Sequence, residues 1–303
     1  MNALVIVNPI AGPGRASEMA SIIELAKTVL LRHNLIADVR VTGGPDDARG
    51  FASDAVKDGI DLVVAWGGDG TVNRAAAAVA GTRVPLAIVP AGSGNGLARD
   101  LGVPLTPEAA LEVAGAGATR AIDAGDLDGH LFFNVAGIGF DARIAARLAE
   151  PGARRGLLGY VLATLGELPG YEPACYSIRE ARDVNGVAHT PDIVNHHALF
   201  IALANSRQYG NGAQIAPQAL LDDEMIEIVV VEPQSGFRIM RQVPAFFRGT
   251  LREGPGVLMR SAASMDICCA HPIRFHVDGE PREGGATVSL RTRRQVVTVK
   301  VSR

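Results

Sequence analysis

Cysteine and long apolar runs are scarce in this chain of 303 residues. The three cysteines, Cys175, Cys268 and Cys269, form no C-x-x-C and no metal-ligand spacing. Their scarcity excludes a disulfide scaffold and a structural zinc site, and points to a reducing compartment. No stretch approaches the ~18 apolar residues that a bilayer-spanning helix needs. The N-terminus runs almost at once into Val5-Ile6-Val7 and lacks the basic start and small-residue cleavage site of a signal peptide. The expectation is a cytoplasmic protein that remains free to touch the inner face of a membrane.

An excess of one charge is missing as well. Lys and Arg number 29 against 32 Asp and Glu, a net charge of −3 that gives no electrostatic case for nucleic-acid binding. With 48% hydrophobic and 20% charged residues this is a folded chain. Its length, at about 150 residues per domain, allows two domains or one large one. What is abundant is glycine: 35 residues, where average usage of about 7% gives about 21. There is no collagen-like period, so the backbone must be unusual at particular places.

Apolar strand-like runs at residues 4–8, 36–42, 61–66 and 85–89 alternate with helical spacing at 15–32, 46–57 and 71–80. That alternation predicts a parallel sheet with crossover helices. From about residue 121 the pattern changes to short strands with period two, the mark of an antiparallel sandwich. Ile273, Phe275 and Val277 are expected on one face, and Arg274, His276 and Asp278 on the other. Helical insertions are expected at 156–168 and 237–251. Residues 237–252 carry Arg238, Arg241, Arg248 and Arg252 with no acidic residue, a composition that suits packing on the sandwich or contact with anionic lipid. Leu157, Leu158, Val161, Leu162 and Leu165 give the first insertion a stripe that is more commonly a core face, with the gating of a lipid tail as the sharper reading. Arg154 and Arg155 beside it either reach phosphates or lie in a solvated loop.

The loops after these strands carry the chemistry. The third ends in Gly67-Gly68-Asp69-Gly70-Thr71 and the fourth in Pro90-Ala91-Gly92-Ser93-Gly94-Asn95-Gly96, which leads into a helix at 97–101. The first strand ends in Asn8-Pro9-Ile10-Ala11-Gly12-Pro13-Gly14-Arg15. Glycine loops feeding helix N-termini at the carboxyl ends of parallel strands suit phosphate. Asp69 inside such a cradle suits a cation or a substrate hydroxyl; the bland reading makes Asp69 or Thr71 a helix N-cap. Several nucleotide folds are excluded. There is no G-x-x-x-x-G-K-[ST], Leu97 stands where a dinucleotide fingerprint needs glycine, and no protein-kinase catalytic loop occurs.

At these loops the chain resembles the diacylglycerol kinase catalytic-domain family, which includes bacterial soluble lipid kinases and sphingosine kinases. The resemblance continues in family order through Asn134-Val135-Ala136-Gly137-Ile138-Gly139-Phe140-Asp141-Ala142, residues 205–217, Leu221-Asp222-Asp223 and Val277-Asp278-Gly279-Glu280. It implies a phosphofructokinase-like α/β domain over 1–122 that binds ATP, a β-sandwich lipid domain over 123–303, and an active site in the cleft between them. Carried over by residue, Asn8, Thr42, Gly67, Gly68, Asp69, Gly70, Thr71, Asn73, Gly92 and Ser93 contact ATP. The family's proton acceptor falls on Glu280, in an acidic motif with Asp278, or on Asp69. By the bland reading Asp278-Gly279-Glu280 is a hairpin turn.

Leu220, Asp223 and Met225 match a structural Mg²⁺ site of one carboxylate and two backbone carbonyls, oxygen ligands that suit this ion, although Glu224 replaces the usual glycine. The bacterial G-T-x-N-D loop is also altered: Gly96 stands in place of its carboxylate. The loop looks closer to sphingosine kinases, in which the position of Asp141 recognises the sphingoid head group. The expected activity is transfer of the γ-phosphate of ATP to a lipid hydroxyl, on diacylglycerol or a sphingoid base. The alternatives are an NAD kinase-like enzyme for a soluble metabolite and a catalytically weak lipid-binding protein. Peripheral membrane contact is expected, and a homodimer is compatible with the sequence.

Overall fold

The computed structural model describes the chain except residues 12–17, 151, 154–155, 189–191, 211 and 303, and except the side chains of 157, 158, 236, 237, 239, 240, 242 and 243. Gly12, Gly14, Arg15, Arg154 and Arg155 therefore lie outside the described residues, as do the side chains of Leu157 and Leu158. The chain divides into two compact units. One holds Met1–Ile122 with Gln295–Arg303, the other Asp123–Arg294.

The first unit runs β1 (Asn2–Val7), α1 (Met19–Arg32), β2 (Ile36–Val41), α2 (Asp47–Lys57), β3 (Leu62–Gly67), α3 (Asp69–Val79), β4 (Leu86–Pro90), α4 (Gly96–Asp100) and α5 (Pro107–Ala116), then enters β5 (Ala118–Leu127). Its strands are parallel in the order β2-β1-β3-β4. Each residue of β3 and β4 is buried, as a sheet covered on both faces requires. α1 packs on α5 and α2 on α3. The sequence pattern missed α5. Its run Pro107-Glu108-Ala109-Ala110-Leu111-Glu112-Val113-Ala114-Gly115-Ala116 has small side chains that blur the apolar stripe, although Pro107 stands where a first helical turn accepts proline.

The second unit continues with β6 (His130–Phe132), β7 (Val135–Gly139), α6 (Phe140–Ala149), α7 (Gly156–Glu167), β8 (Ala174–Arg182), β9 (Ile193–Ala198), β10 (Phe200–Ala204), β11 (Gln208–Gly210), β12 (Ala213–Gln214), β13 (Ile226–Val231), α8 (Gly236–Arg248), β14 (Val257–Ala262), β15 (Ser264–Cys269), β16 (Arg274–Val277), β17 (Glu280–Glu283) and β18 (Thr287–Val301). One antiparallel sheet has the order β14-β13-β10-β7-β16-β17, and the start of β18, β15, β8 and β9 pair antiparallel in that order as a second layer. Their inner faces share a core that includes Phe132, Ile138, Ile178, Ile201, Ile228, Met265, Ile267, Phe275 and Leu290. Each such side chain contributes about 1.5–3 kcal/mol relative to its exposed state. On the other face of the first sheet, Ala245 and Phe246 of α8 pack over Ala202, Val229 and Val231. Beside them α6 places Phe140 and Ile144 against Leu199 and Tyr160.

One expectation is corrected here. The tail from Gln295 does not stay with the second domain: the end of β18 runs parallel beside β4, with Val299 opposite Leu86, and Lys300 donates to the Gly117 carbonyl at 3.1 Å. His276 takes the face opposite Phe275, as the alternation implied, and that face is covered. α6, which the sequence reading did not distinguish as a helix, packs on β16, and His276 is 6% exposed.

Candidate functional site

In the first unit the residues expected to hold ATP follow the carboxyl ends of neighbouring parallel strands. Asn8 follows β1, and its backbone N–H donates to the Trp66 carbonyl at 2.9 Å; Thr42 follows β2 and donates to Val7 in the same way. The Asn8 side chain closes its own loop by accepting the Ile10 N–H and donates Nδ2–H to Thr71 Oγ1, 3.1 Å away. Thr42, Thr71 and Asn73 are buried, and Ser93 is exposed.

Asp69 does not cap its own helix, because the N-cap of α3 is Gly68. Its carboxylate reaches instead to the neighbouring glycine loop, where Oδ2 accepts the Asn95 N–H at 2.9 Å and Oδ1 the Gly96 N–H at 2.7 Å. Burial raises the Asp69 pKa, and these N–H groups only partly oppose the rise. Asn95 sits at φ 51°, in the left-handed region that asparagine tolerates, and clamps the loop by accepting the Gly92 N–H and donating to the Gly92 carbonyl. A Cβ on Gly92 would meet Gly68 Cα at 2.6 Å, and one on Gly67 would meet Thr71 Oγ1 at 2.5 Å. Gly92 is therefore required by loop-to-loop contact and Gly67 by the packing of Thr71 within its own loop, requirements that the expectation of phosphate contact alone did not contain.

In the second unit, Asp278 and Gly279 form the two-residue turn between β16 and β17, at φ 48° and 84°. This is the hairpin that the Asp-Gly pair indicated. Asp278 also binds a distant segment. Its Oδ2 accepts the Phe133 N–H, and Oδ1 accepts those of Asn134 and Val135, all within 3.0 Å. Behind this contact Asn205 donates to the carbonyls of Asp123 and Phe133, and the Ser206 hydroxyl bonds Asn134 Oδ1. Glu280, the first residue of β17, pairs with Arg282 at 3.0 Å. A carboxylate holding three backbone donors is committed to holding the turn.

Asp141, in the first turn of α6, is 3% exposed. Its Oδ2 lies 2.6 Å from His276 Nε2, and its Oδ1 accepts the Tyr160 hydroxyl at 3.3 Å. Burial pushes its pKa up, but His276 and the neighbouring tyrosine hydroxyls outweigh burial and leave it lowered. His276 shows the converse: burial opposes its charged form, and Asp141 carries its pKa above the usual value.

Leu220, Asp223 and Met225 lie in the loop that docks on Asp123, whose N–H donates to the Leu221 carbonyl and whose Oδ2 accepts the Glu224 N–H. Glu224 takes φ 66°, in the left-handed region that favours glycine. Burial, then Asp123 and Asp222, raises the Asp223 pKa; burial and Asp223 carry Glu227 to about 6. Among the described residues no three His, Cys, Asp or Glu side chains are grouped to hold a metal. A cation here must therefore rely on Asp223 with backbone carbonyls, and crowded carboxylates and oxygen donors suit Mg²⁺. Tyr160 and Asp123 went unnoticed in the sequence, and His276 was assigned only a strand face, since each acts through a partner distant in the chain.

Residues 2–127 match the family described as the diacylglycerol kinase catalytic domain, and 134–301 match the YegS C-terminal NAD kinase beta sandwich-like domain. A diacylglycerol kinase of Mycobacterium tuberculosis (strain ATCC 25618 / H37Rv) is 32% identical over 282 residues, covering 91% of this chain and 87% of that protein. A protein of Escherichia coli (strain K12 / DH10B) named "Probable lipid kinase YegS" is 30% identical over 266 residues, covering 84% and 83%. A crystal structure described as a diacylglycerol kinase from Bacillus anthracis str. Sterne shares the fold, with a TM-score of 0.73 at 21% identity over 99% of this chain and 96% of that one.

Proposed function

Because the chain belongs to the diacylglycerol kinase family, we propose that it is a lipid kinase that transfers the γ-phosphate of ATP to the hydroxyl of a lipid, diacylglycerol or a sphingoid base. The observation that carries this reading is the pair of glycine loops joined by Asp69 at the carboxyl end of a parallel sheet. Asn8, Thr42, Gly67 to Thr71, Asn73, Gly92 and Ser93 hold ATP there. Backbone N–H groups and the positive end of α3 meet its phosphates, and phosphoryl transfer asks chiefly for such positioning and charge neutralisation.

The second unit takes the lipid. Glu280, or Asp69 with its raised pKa, accepts the proton of the lipid hydroxyl, while Asp278 positions the turn that bears Glu280. Leu220, Asp223 and Met225 hold a structural Mg²⁺, and a further Mg²⁺ accompanying ATP supplies charge screening of its phosphates. No described helix is long and apolar enough to cross a membrane, so the enzyme meets its substrate by peripheral contact with the bilayer surface.

The description of the second match as NAD kinase-like motivates one competing acceptor. The full chain with γ-labelled ATP and Mg²⁺ is offered diacylglycerol, a monoacylglycerol, sphingosine and NAD in parallel. Label in a lipid supports the proposal, label in NAD supports the competing reading, and label in neither contradicts both.

A further inference from the structure

β2 is the outer strand of the first unit's parallel sheet, and among the described residues β1 is its one strand neighbour. The ladder to β1 fixes which backbone groups are left over. Ile36 N–H donates to the Met1 carbonyl and Thr42 N–H to that of Val7, both at 2.9 Å, and the register runs without a shift from Asn2 opposite Ile36 to Val7 opposite Val41. Alternate residues of a parallel strand bond its neighbour, so the even-numbered residues from 36 to 42 turn their backbone groups to β1. The N–H and C=O groups of Ala37, Val39 and Val41 point away from it. A row of such groups is a template for another strand, and outer strands are commonly guarded by proline, lysine or a bulge. β2 has none of these. Its charges are Asp38 and Arg40, paired with each other at 2.9 Å and both exposed on the side chain, 58% and 39%. Arg40 also lies over the Phe51 ring of α2 at 5.7 Å, so its position is set before any partner arrives.

These two charges select one partner and one register. When β2 is laid antiparallel on a second copy of itself about a two-fold axis at Val39, Val39 faces Val39 and Ala37 faces Val41. Those are the residues with backbone groups left over, and each pair exchanges both of its hydrogen bonds. Between them Asp38 faces Arg40 of the second copy on both sides of the axis, in the non-hydrogen-bonded positions where side chains are closest. A slip of two residues either way keeps the backbone pairing but sets Asp38 against Asp38 or Arg40 against Arg40, which is repulsive. The charges that would guard an edge if they had one sign are here self-complementary. Ile36 and Val41, 67% and 38% exposed, gain cover from the added strand.

We propose that β2 is a self-association edge: two copies of this chain pair their β2 strands antiparallel about Val39 and join their parallel sheets into one. The contact uses the same surface on both copies and therefore closes at two. One short strand from each side makes a small interface, so the dimer forms reversibly and in proportion to concentration. None of the residues involved takes part in the proposed phosphate transfer, and the kinase reading stands or falls separately.

The test is sedimentation velocity of the full chain over about 1–200 µM, the range of weak specific association, with amide exchange as a second readout. Wild type is expected to pass from monomer to dimer, with the Ala37, Val39 and Val41 amides gaining protection as concentration rises. Val39→Pro removes the central N–H at a position where an outer strand tolerates proline; its dimer dissociation constant is expected to rise at least about tenfold, about 1.4 kcal/mol. Asp38→Arg and Arg40→Asp each set like charges opposite one another and are expected to remain monomeric alone. Mixed in equal amounts they are expected to dimerise, because the arginines of one variant then face the aspartates of the other.

Wild type that stays monomeric throughout this range overturns the inference, as does assembly that continues past two. A dimer that persists in folded Val39→Pro overturns it as well, since the contact then lies elsewhere. If Val39→Pro fails to fold, the charge variants decide: association in the mixture alone supports the inference, and any other pattern overturns it.

Discussion

The carboxylate of Asp69 accepts the backbone N–H of Asn95 at 2.9 Å, across 26 residues of chain, and so joins the glycine loop after β3 to the one after β4. The same side chain is a candidate proton acceptor and a cross-link of the proposed ATP site. Asp69→Asn keeps its shape but can accept only through one oxygen. Steady-state kinetics are expected to show kcat lower by about 10²–10⁴ if Asp69 is the base. A change confined to the KM for ATP would assign it the cross-linking role alone.

Gly92→Ala tests the contact between the loops directly. The added Cβ, 2.6 Å from Gly68 Cα, meets backbone that no side-chain rotation can clear. Overpacking of this kind costs about 1–3 kcal/mol, and 1.4 kcal/mol is about tenfold in affinity. ATP titration of the folded variant is expected to give a dissociation constant raised about tenfold or more. Unchanged ATP affinity would remove these loops from the nucleotide site.

Asp278 and Glu280 are expected to separate by phenotype. Asp278→Asn weakens the acceptor for the N–H groups of Phe133, Asn134 and Val135. Each orphaned donor costs about 1–3 kcal/mol, so calorimetry should show a Tm lower by several degrees, at about 2–4 °C per kcal/mol. Glu280→Gln removes the charge from the pair with Arg282. It is expected to leave Tm nearly unchanged and to lower kcat by about 10²–10⁴ if Glu280 is the base.

What could be read from the sequence divides along the distance over which each residue acts. β1 to β4 and their glycine loops were legible because apolar runs and turn residues are local signals. The Asp278-Gly279 turn was legible for the same reason. Its attachment to Phe133, Asn134 and Val135 was not, since those partners lie about 145 residues away and no local pattern encodes the pairing. The face that His276 takes was legible but its burial was not, because period two reports which face a side chain takes, and says nothing about whether a helix such as α6 covers that face. The return of the tail to β4 was hidden because β18 is one uninterrupted strand shared between units.

Glu227 sets a pH dependence with a definite sign. Its pKa rises from 4.5 to about 6 in the fold, through burial and then Asp223. The folded state therefore holds the proton more tightly than the unfolded chain. The stabilisation is present below 4.5 and is lost as pH rises through about 6. Glu227→Gln is expected to match wild type in urea midpoint near pH 4 and to exceed it at pH 7, with Mg²⁺ narrowing the gap through Asp223. Parallel midpoints across that range would contradict the assignment.

The measurement that bears most directly on the account is the stoichiometry of phosphate transfer. Purified full-length chain is incubated with γ-labelled ATP, Mg²⁺ and dioctanoylglycerol micelles, and ADP and lipid phosphate are counted together. The account predicts lipid-dependent turnover with one lipid phosphate formed for each ADP. ADP formed without lipid phosphate, or no ADP at all from a folded protein that binds the micelles, would contradict it.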